Sequence, residues 1–366
     1  MIRVAIIGCG KMADSHAAAI QRIPGCKLVG VCDREELMAR QMAERFRVEH
    51  FFGDAGELLE RCSPTVVHIT TPPQSHFALA RQCLKSGSSV YVEKPFTLNS
   101  QEARELIDTA VACNQKITVG HNTQFTPVAR EMRQLIRSGY LGGPPVHMES
   151  VFCYNFGEER YAKALLGDKD HWVRALPGGL LQNIISHGIG KIVEYLRGDS
   201  PRVVAHGFTS QYLESIGEND ILDELRVVIS DEYRTTAYFT FSSQMSPALH
   251  QFRVYGPRNS LIADYNHQTL IKVPGKTYKS YLNQFLPPLA CGRQYFANAG
   301  RNMRKFMARD FHVDSGLHFL VYLFYRSVAE NAPLPIPYRD ILLTCQIMDT
   351  IFSKNAVPDR ASLTYS

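Results

Sequence analysis

The sequence predicts an α/β chain: an N-terminal doubly wound parallel sheet, then an α+β domain built on a large, mostly antiparallel open sheet. Three observations predict it. Residues 1–121 alternate short apolar runs with amphipathic stretches of near-3.6 spacing, the pattern of βαβ units. Residues 201–273 are instead strand-rich and meander-like, as antiparallel sheets are. The chain has 366 residues, more than one core of about 250–300 residues serves. The expected domains are 1–122 and 123–366, with the C-terminal helices free to pack back on the first.

In the first domain the strands fall at Val4–Ile7, Leu28–Cys32, His50–Phe52, Val66–Ile69, Val90–Val92 and Ile117–Val119. Helices lie between them at Glu35–Phe46, Gln74–Lys85 and Ser100–Cys113. Right-handed crossovers then cover both faces of the sheet. Beyond 123 a helix, Pro127–Ser138, stops at Gly139 and Gly142-Gly143-Pro144-Pro145. A strand follows at Val146–Tyr154, then one helix from Gly179 to Leu196. Five strands are expected at Val203–Gly207, Leu225–Ile229, Thr235–Phe241, Gln251–Tyr255 and Ser260–Asp264. Helices close the chain at 294–308, 314–331 and 339–353.

Composition narrows the function classes. Hydrophobic residues at 45% and charged residues at 20% supply an ordinary globular core. A net charge of +5 is too small for a nucleic-acid binder, though it favours an anionic small molecule. The nine cysteines form no CxxC pair and no Cys/His cluster at zinc spacing, so no metal site is expected and a reducing, cytoplasmic setting is. No run approaches the roughly 18 apolar residues that span a bilayer, and the first residues read as a strand and not a leader.

Three segments carry chemistry. Gly8-Cys9-Gly10-Lys11-Met12-Ala13 follows a strand and opens a helix. Gly8 permits the turn, Gly10 lets backbone approach a pyrophosphate, and Ala13 allows close helix–strand packing. Asp33, at the end of the second strand, is placed to hold the ribose hydroxyls of a dinucleotide. It repels a 2′-phosphate and favours NAD, while Arg34 leaves NADP open. Thr70-Thr71-Pro72-Pro73-Gln74-Ser75-His76 and Glu93-Lys94-Pro95 follow the fourth and fifth strands, at the carboxyl edge where open sheets bind ligands. Burial of Lys94 there lowers its pKa towards catalytic use, and Pro95 restrains the loop and allows a cis bond.

Together these segments resemble the Gfo/Idh/MocA (glucose–fructose oxidoreductase / inositol dehydrogenase) family, over nearly the whole chain. Val119-Gly120-His121-Asn122, His171-Trp172-Val173-Arg174, the glycine-led helix with His187, and Pro335-Ile336-Pro337 are similar too. The resemblance implies a Rossmann domain with NAD across Gly8, Gly10, Lys11, Met12, Asp33, Arg34, Thr71, Pro72, His76, Glu93, Lys94 and Asn122. It puts substrate between nicotinamide and the open sheet, with Lys94 and His187 nearest the reacting carbon. His121, Gln124, Trp172 and Arg174 are implied substrate contacts. Trp172 reads equally as core packing.

One departure matters. Relatives commonly carry Asp four residues before the helix His and Gly two before it; here those are Asn183 and Ile185. Residues at i and i+4 share a helix face, so Asn183 still reaches a ligand beside His187. It hydrogen-bonds but takes no proton, which leaves His187 as the general base. The expected activity is hydride transfer between nicotinamide and a secondary hydroxyl or keto group of a sugar, with a nucleotide-activated sugar preferred. The alternative is a non-catalytic, NAD-responsive regulator of the same fold. A homo-oligomer is expected from the open sheet.

Residues 272–309 contain Lys272, Lys276, Lys279, Arg293, Arg301, Arg304, Lys305 and Arg309, with no Asp or Glu. Three readings fit: a helix packed on the domain or on a second subunit, a phosphate contact for a nucleotide-activated sugar, or a peripheral interfacial helix on an anionic membrane.

Overall fold

In a computed structural model of the chain, residues 1–155, 165–308 and 315–354 are described. Arg309 of the basic segment and the first residue of the 314–331 helix lie outside them. The chain divides into two compact units, Met1–Thr126 with His312–Cys345, and Pro127–Phe311 with Gln346–Ser366. The first therefore runs past residue 122 and takes in a C-terminal helix.

Its six strands are β1 (Ile2–Ile7), β2 (Cys26–Cys32), β3 (Phe51–Phe52), β4 (Val66–Ile69), β5 (Ser89–Val92) and β6 (Ile117–Val119). They pair in parallel in the order β3-β2-β1-β4-β5-β6, reversing beside β1 as a doubly wound sheet does. The central strands are apolar on both faces, as Val66, Val67 and Ile69 show by full burial. Between them run α1 (Lys11–Gln21), α2 (Glu36–Phe46), α3 (Ala55–Cys62), α4 (His76–Lys85) and α5 (Ser100–Ala112). Asp54 caps α3 and Asn99 caps α5, each accepting from a backbone N–H three residues on.

The second unit opens with α6 (Pro127–Arg137) and β7 (His147–Cys153). Where one helix was expected over Gly179–Leu196, there are two, α7 (Gly179–Ile184) and α8 (Ser186–Val193), parted by a turn at Ile185. After β8 (Arg202–Phe208) comes the short α9 (Gln211–Ser215). Then follow β9 (Glu224–Ser230), β10 (Thr236–Ser242), β11 (His250–Tyr255), β12 (Asn259–Asp264) and β13 (Thr269–Pro274). The seven-stranded sheet has the order β13-β12-β11-β7-β10-β9-β8. The β7–β10 pair is parallel and every other pair antiparallel. α8 lies directly on this sheet. A Cβ on Gly188 would meet Phe239 Cε2 at 2.1 Å, and Ser150 Oγ donates to the Gly188 carbonyl at 3.2 Å, so no larger residue fits there.

The sequence pattern did not single out β13, and α10 (Leu282–Met307) begins well before residue 294. Pro287 and Pro288 lie inside it; prolines read as a stop because they remove ladder donors. The helix is held instead through its amide side chains. Gln294 accepts from Lys272 N at 2.8 Å and donates to Lys272 O at 3.0 Å. Asn298 accepts from Leu270 N at 3.2 Å and donates to Leu270 O at 3.0 Å. Asn302 donates to His267 O at 2.8 Å. Four helical residues rise about 6 Å and two strand residues about 6.6 Å, so Gln294 and Asn298 keep step with Lys272 and Leu270 of β13, while Asn302 reaches the turn before the strand. This ladder satisfies the free edge of β13.

The chain closes with α11 (Ser315–Glu330) and α12 (Tyr338–Lys354). Leu317, Leu320, Val321 and Phe324 of α11 join the core of the first unit. Among the described residues no helix is long and apolar enough to cross a membrane, and no group of His, Cys, Asp or Glu could hold a metal ion. Replacing Asn298 by Ala removes both bonds to Leu270 and strands two backbone groups. Urea unfolding is expected to show a loss of roughly 1–3 kcal/mol; an unchanged midpoint contradicts the ladder.

Candidate functional site

The glycine turn is built as a bare cradle. Gly8 has φ +96°, and a Cβ there would meet the Thr71 side chain and backbone at 2.7 Å. A Cβ on Gly10, by contrast, has nothing within 4 Å. Gly10 caps α1 with no side-chain hydrogen bond, so the first-turn amides are left for an anion. Lys11 and Met12 are exposed at that turn, and Ala13 is fully buried under it. Asp33 is half-buried; it accepts from Cys9 N at 2.7 Å and Glu35 N at 3.0 Å, with lone pairs left for a diol. Arg34 is exposed beside it. These residues fit a dinucleotide: Gly8 and Gly10 with Lys11 and Met12 would hold its pyrophosphate and Asp33 its ribose.

The next two loops meet at the carboxyl edge of the sheet. Thr71 is half-buried and Pro72 exposed. His76 is fully buried, its Nε2 2.9 Å from the Thr71 carbonyl and its Nδ1 2.9 Å from the Pro95 carbonyl. It therefore packs between the two loops; burial holds its pKa down, and the neutral ring donates to one of the two carbonyls. Lys94–Pro95 is a cis peptide. Lys94 keeps partial exposure, yet burial pulls its ammonium below the usual lysine range against the opposing pull of Glu93. His121 follows β6. Burial drives it to about 4, with Glu93 opposing and Lys94 reinforcing, so it is neutral at pH 7. Asn122 is half-buried and Gln124 buried in the turn beyond.

Behind Lys94, Glu93 leads into a chain of polar groups, His16, His68 and Tyr325, that the sequence pattern did not single out. Glu93 is buried; its Oε2 accepts from Lys94 N at 3.1 Å and its Oε1 lies 2.9 Å from His16 Nε2. His16 Nδ1 is 2.7 Å from His68 Nδ1, and His68 Nε2 is 2.8 Å from the Tyr325 hydroxyl. Tyr91 stacks on His68 with centroids 4.7 Å apart. Gly120 passes so close that a Cβ would sit 2.7 Å from Glu93 Oε1. Burial pushes the Glu93 pKa up, but the hydrogen bond and charge of His16, with Lys94, outweigh it and hold the carboxyl below its ordinary range. Burial keeps His68 neutral and the Tyr325 phenol protonated. A signal existed in the sequence. His68 interrupts an otherwise apolar strand, and His16 falls between Ala13, Ala17 and Ile20 on the buried face of α1.

In the second unit, Asn183 lies in the last turn of α7 and His187 in the first turn of α8, on either side of Ile185. Ile185 keeps right-handed angles, φ −71° and ψ −18°, so the helical direction carries through the break. The His187 ring is 6.1 Å from that of Phe152 on β7. Four residues on, Lys191 is buried with Nζ 3.5 Å from the centre of the Tyr265 ring, and burial takes its pKa to about 7. Trp172 stacks on His171. The Arg174 guanidinium is engaged by both Glu218 carboxylate oxygens and the Leu165 carbonyl. Arg174 also lines a cavity of about 320 Å³ with Pro177, Leu222 and Phe352.

With this geometry in view, residues 2–121 match the family described as "Oxidoreductase family, NAD-binding Rossmann fold". That match covers the N-terminal Rossmann domain, which is the part of the chain that carries the family's NAD-binding fold. It is 26% identical over 317 residues to scyllo-inositol 2-dehydrogenase (NAD(+)) of Bacillus subtilis, covering 82% of this chain and 86% of that one. It is 30% identical over 142 residues to D-glucoside 3-dehydrogenase of Escherichia coli, but those span 38% of this chain and 40% of the relative's length. UDP-N-acetylglucosamine 3-dehydrogenase GnnA from Acidithiobacillus ferrooxidans shares the fold at a TM-score of 0.73 and 20% identity, covering 96% and 97% of the two chains.

Two outcomes follow. His121 is held near 4 in the folded chain against about 6.5 unfolded, so the unfolded ring takes up its proton first. Stability is therefore lost as pH falls from about 6.5 towards 4, a melting-temperature decline that His68 and His76 reinforce; a flat profile contradicts it. Replacing His68 by Phe strands both the His16 ring nitrogen and the Tyr325 hydroxyl. Urea titration is expected to register a loss of roughly 1–3 kcal/mol.

Proposed function

We propose that this chain transfers hydride between the nicotinamide of NAD and a secondary hydroxyl or keto group of a sugar, with a nucleotide-activated sugar as preferred substrate. One observation carries the reading: an ammonium, Lys94, half-buried at the carboxyl edge of a dinucleotide-type sheet, its pKa pulled down beside an ionised Glu93. NAD, when bound, supplies the hydride acceptor and the chain supplies orientation and proton handling.

In this reading His187 accepts the proton of the reacting hydroxyl, and Lys94 donates a hydrogen bond to the oxygen as it gains charge. Asn183 holds a sugar hydroxyl or the His187 ring. Glu93, fixed from behind by His16, keeps the Lys94 backbone and charge in place. The neutral His121 offers a hydrogen bond without adding a second positive charge. The names of the similar proteins, which include a UDP-sugar dehydrogenase and a glucoside dehydrogenase, support a sugar substrate class. The exposed Val204, Val228 and Tyr238 on three neighbouring strands of the sheet support an oligomer. Asn183 in place of the usual Asp favours the second reading, a dinucleotide-binding regulator.

Absorbance at 340 nm, with NAD or NADH and a panel of free and nucleotide-activated sugars, separates the two. A substrate-dependent change supports the enzyme; bound dinucleotide without any change supports the regulator. With a substrate in hand, Lys94→Ala and His187→Ala are each expected to lower turnover by about 10²-fold or more. Because burial lowers the Lys94 pKa, its proton-donating form fades as pH rises through that lowered value. The alkaline limb of ketone reduction is thus expected below the ordinary lysine value of about 10.4. Asp33→Ser is expected to raise NADP use relative to NAD, read from the ratio of kcat/KM values.

A further inference from the structure

The helix α10 is amphipathic the wrong way round for a solvated surface helix. Its packed stripe is polar: Gln294 and Asn298 hold the edge of β13, Asn302 holds the turn before it, and Arg301 pairs with Glu131 of α6. Its outward stripe is apolar. Phe285, Leu289, Phe296, Met303 and Met307 follow at steps of four, seven, seven and four, which places them in one line along the helix. They are exposed by 56%, 69%, 83%, 60% and 70%. The line runs for roughly 33 Å at about 1.5 Å per residue. Arg293 and Arg304, both exposed and three turns apart, border it along one side. From 265 to 308 the chain has no Asp or Glu.

We propose that this face docks on an anionic lipid bilayer, with the apolar line entering the headgroup–acyl boundary and the flanking cations meeting lipid phosphates. Charge decides the occupant. A second copy seated face to face would set Arg293 and Arg304 against their own equivalents, with no carboxylate in the segment to neutralise them. A bilayer bearing anionic lipid offers both the apolar layer and the negative surface. The helix lies on such a surface and does not span it, since it carries too many polar residues to cross. The apolar face needs no nucleotide, so the inference stands apart from the proposed reaction.

The test is co-sedimentation of the full chain with phosphatidylcholine vesicles, with and without phosphatidylglycerol. Pelleting with the anionic vesicles at low salt, fading as salt rises, is expected, with little on phosphatidylcholine alone. The double variant Phe296→Glu/Met303→Glu is expected to lose at least tenfold in binding while its melting temperature holds, because both side chains are exposed. Arg293→Gln/Arg304→Gln is expected to weaken binding roughly thirtyfold, the contribution of two surface cations. Failure to pellet at low salt, or a glutamate variant that pellets like the parent chain, overturns the proposal. So does a dimer in sedimentation velocity that the glutamate variant dissolves while vesicles go unbound, which assigns the face to a second copy.

Discussion

A carboxylate buried at the edge of a parallel sheet costs several kcal/mol unless other groups repay its lost hydration, and Glu93 is such a group. Its repayment comes from His16 on one oxygen and the Lys94 amide on the other. His16 is in turn held by His68, and His68 by Tyr325. Between the two facing Nδ1 atoms one proton is shared. With His68 as its donor, the chain donates from Tyr325 through His68 and His16 to Glu93. Held below its ordinary range by these donors, Glu93 is an anion at neutral pH, and the loop that bears Lys94 is fixed from inside.

That constraint explains features that otherwise look unrelated. Gly120 is small because Glu93 occupies the space a side chain would take. His76 is buried because it packs between the Thr71 and Pro95 carbonyls, where the Pro-rich loop meets the one it faces. Lys94 feels two opposed effects, burial and its acidic neighbour, and burial prevails. The opposite balance holds at Glu93, where donors outweigh burial. Both neighbours therefore sit below their ordinary values, for different physical reasons.

The doubly wound sheet was legible because its strands are apolar on both faces and its helices keep one apolar stripe; β4 and β6 have the bounds the pattern gives. The glycine turn was legible for the same local reason, since its chemistry lies in consecutive residues. Tyr325 stands 257 residues from His68, and no local pattern links them. The start of α10 was hidden by Pro287 and Pro288, and the helix is anchored through amides and not through an apolar stripe. The break at Ile185 was hidden too: its turn keeps helical angles, and the sequence there carries no glycine to mark it. The Arg174 guanidinium is engaged by Glu218 and Leu165, partners that no local pattern links to it.

The most direct measurement is the titration of the Glu93 side chain itself. Carbon-13 NMR of glutamate-labelled protein, with Glu93→Gln to assign the resonance, reads the carboxyl state against pH. The account predicts an anion across the neutral range that protonates below the ordinary glutamate value of about 4.3. A midpoint above that value, or a protonated carboxyl at neutral pH, would mean that burial wins over His16 and Lys94 and that the chain does not hold the charge.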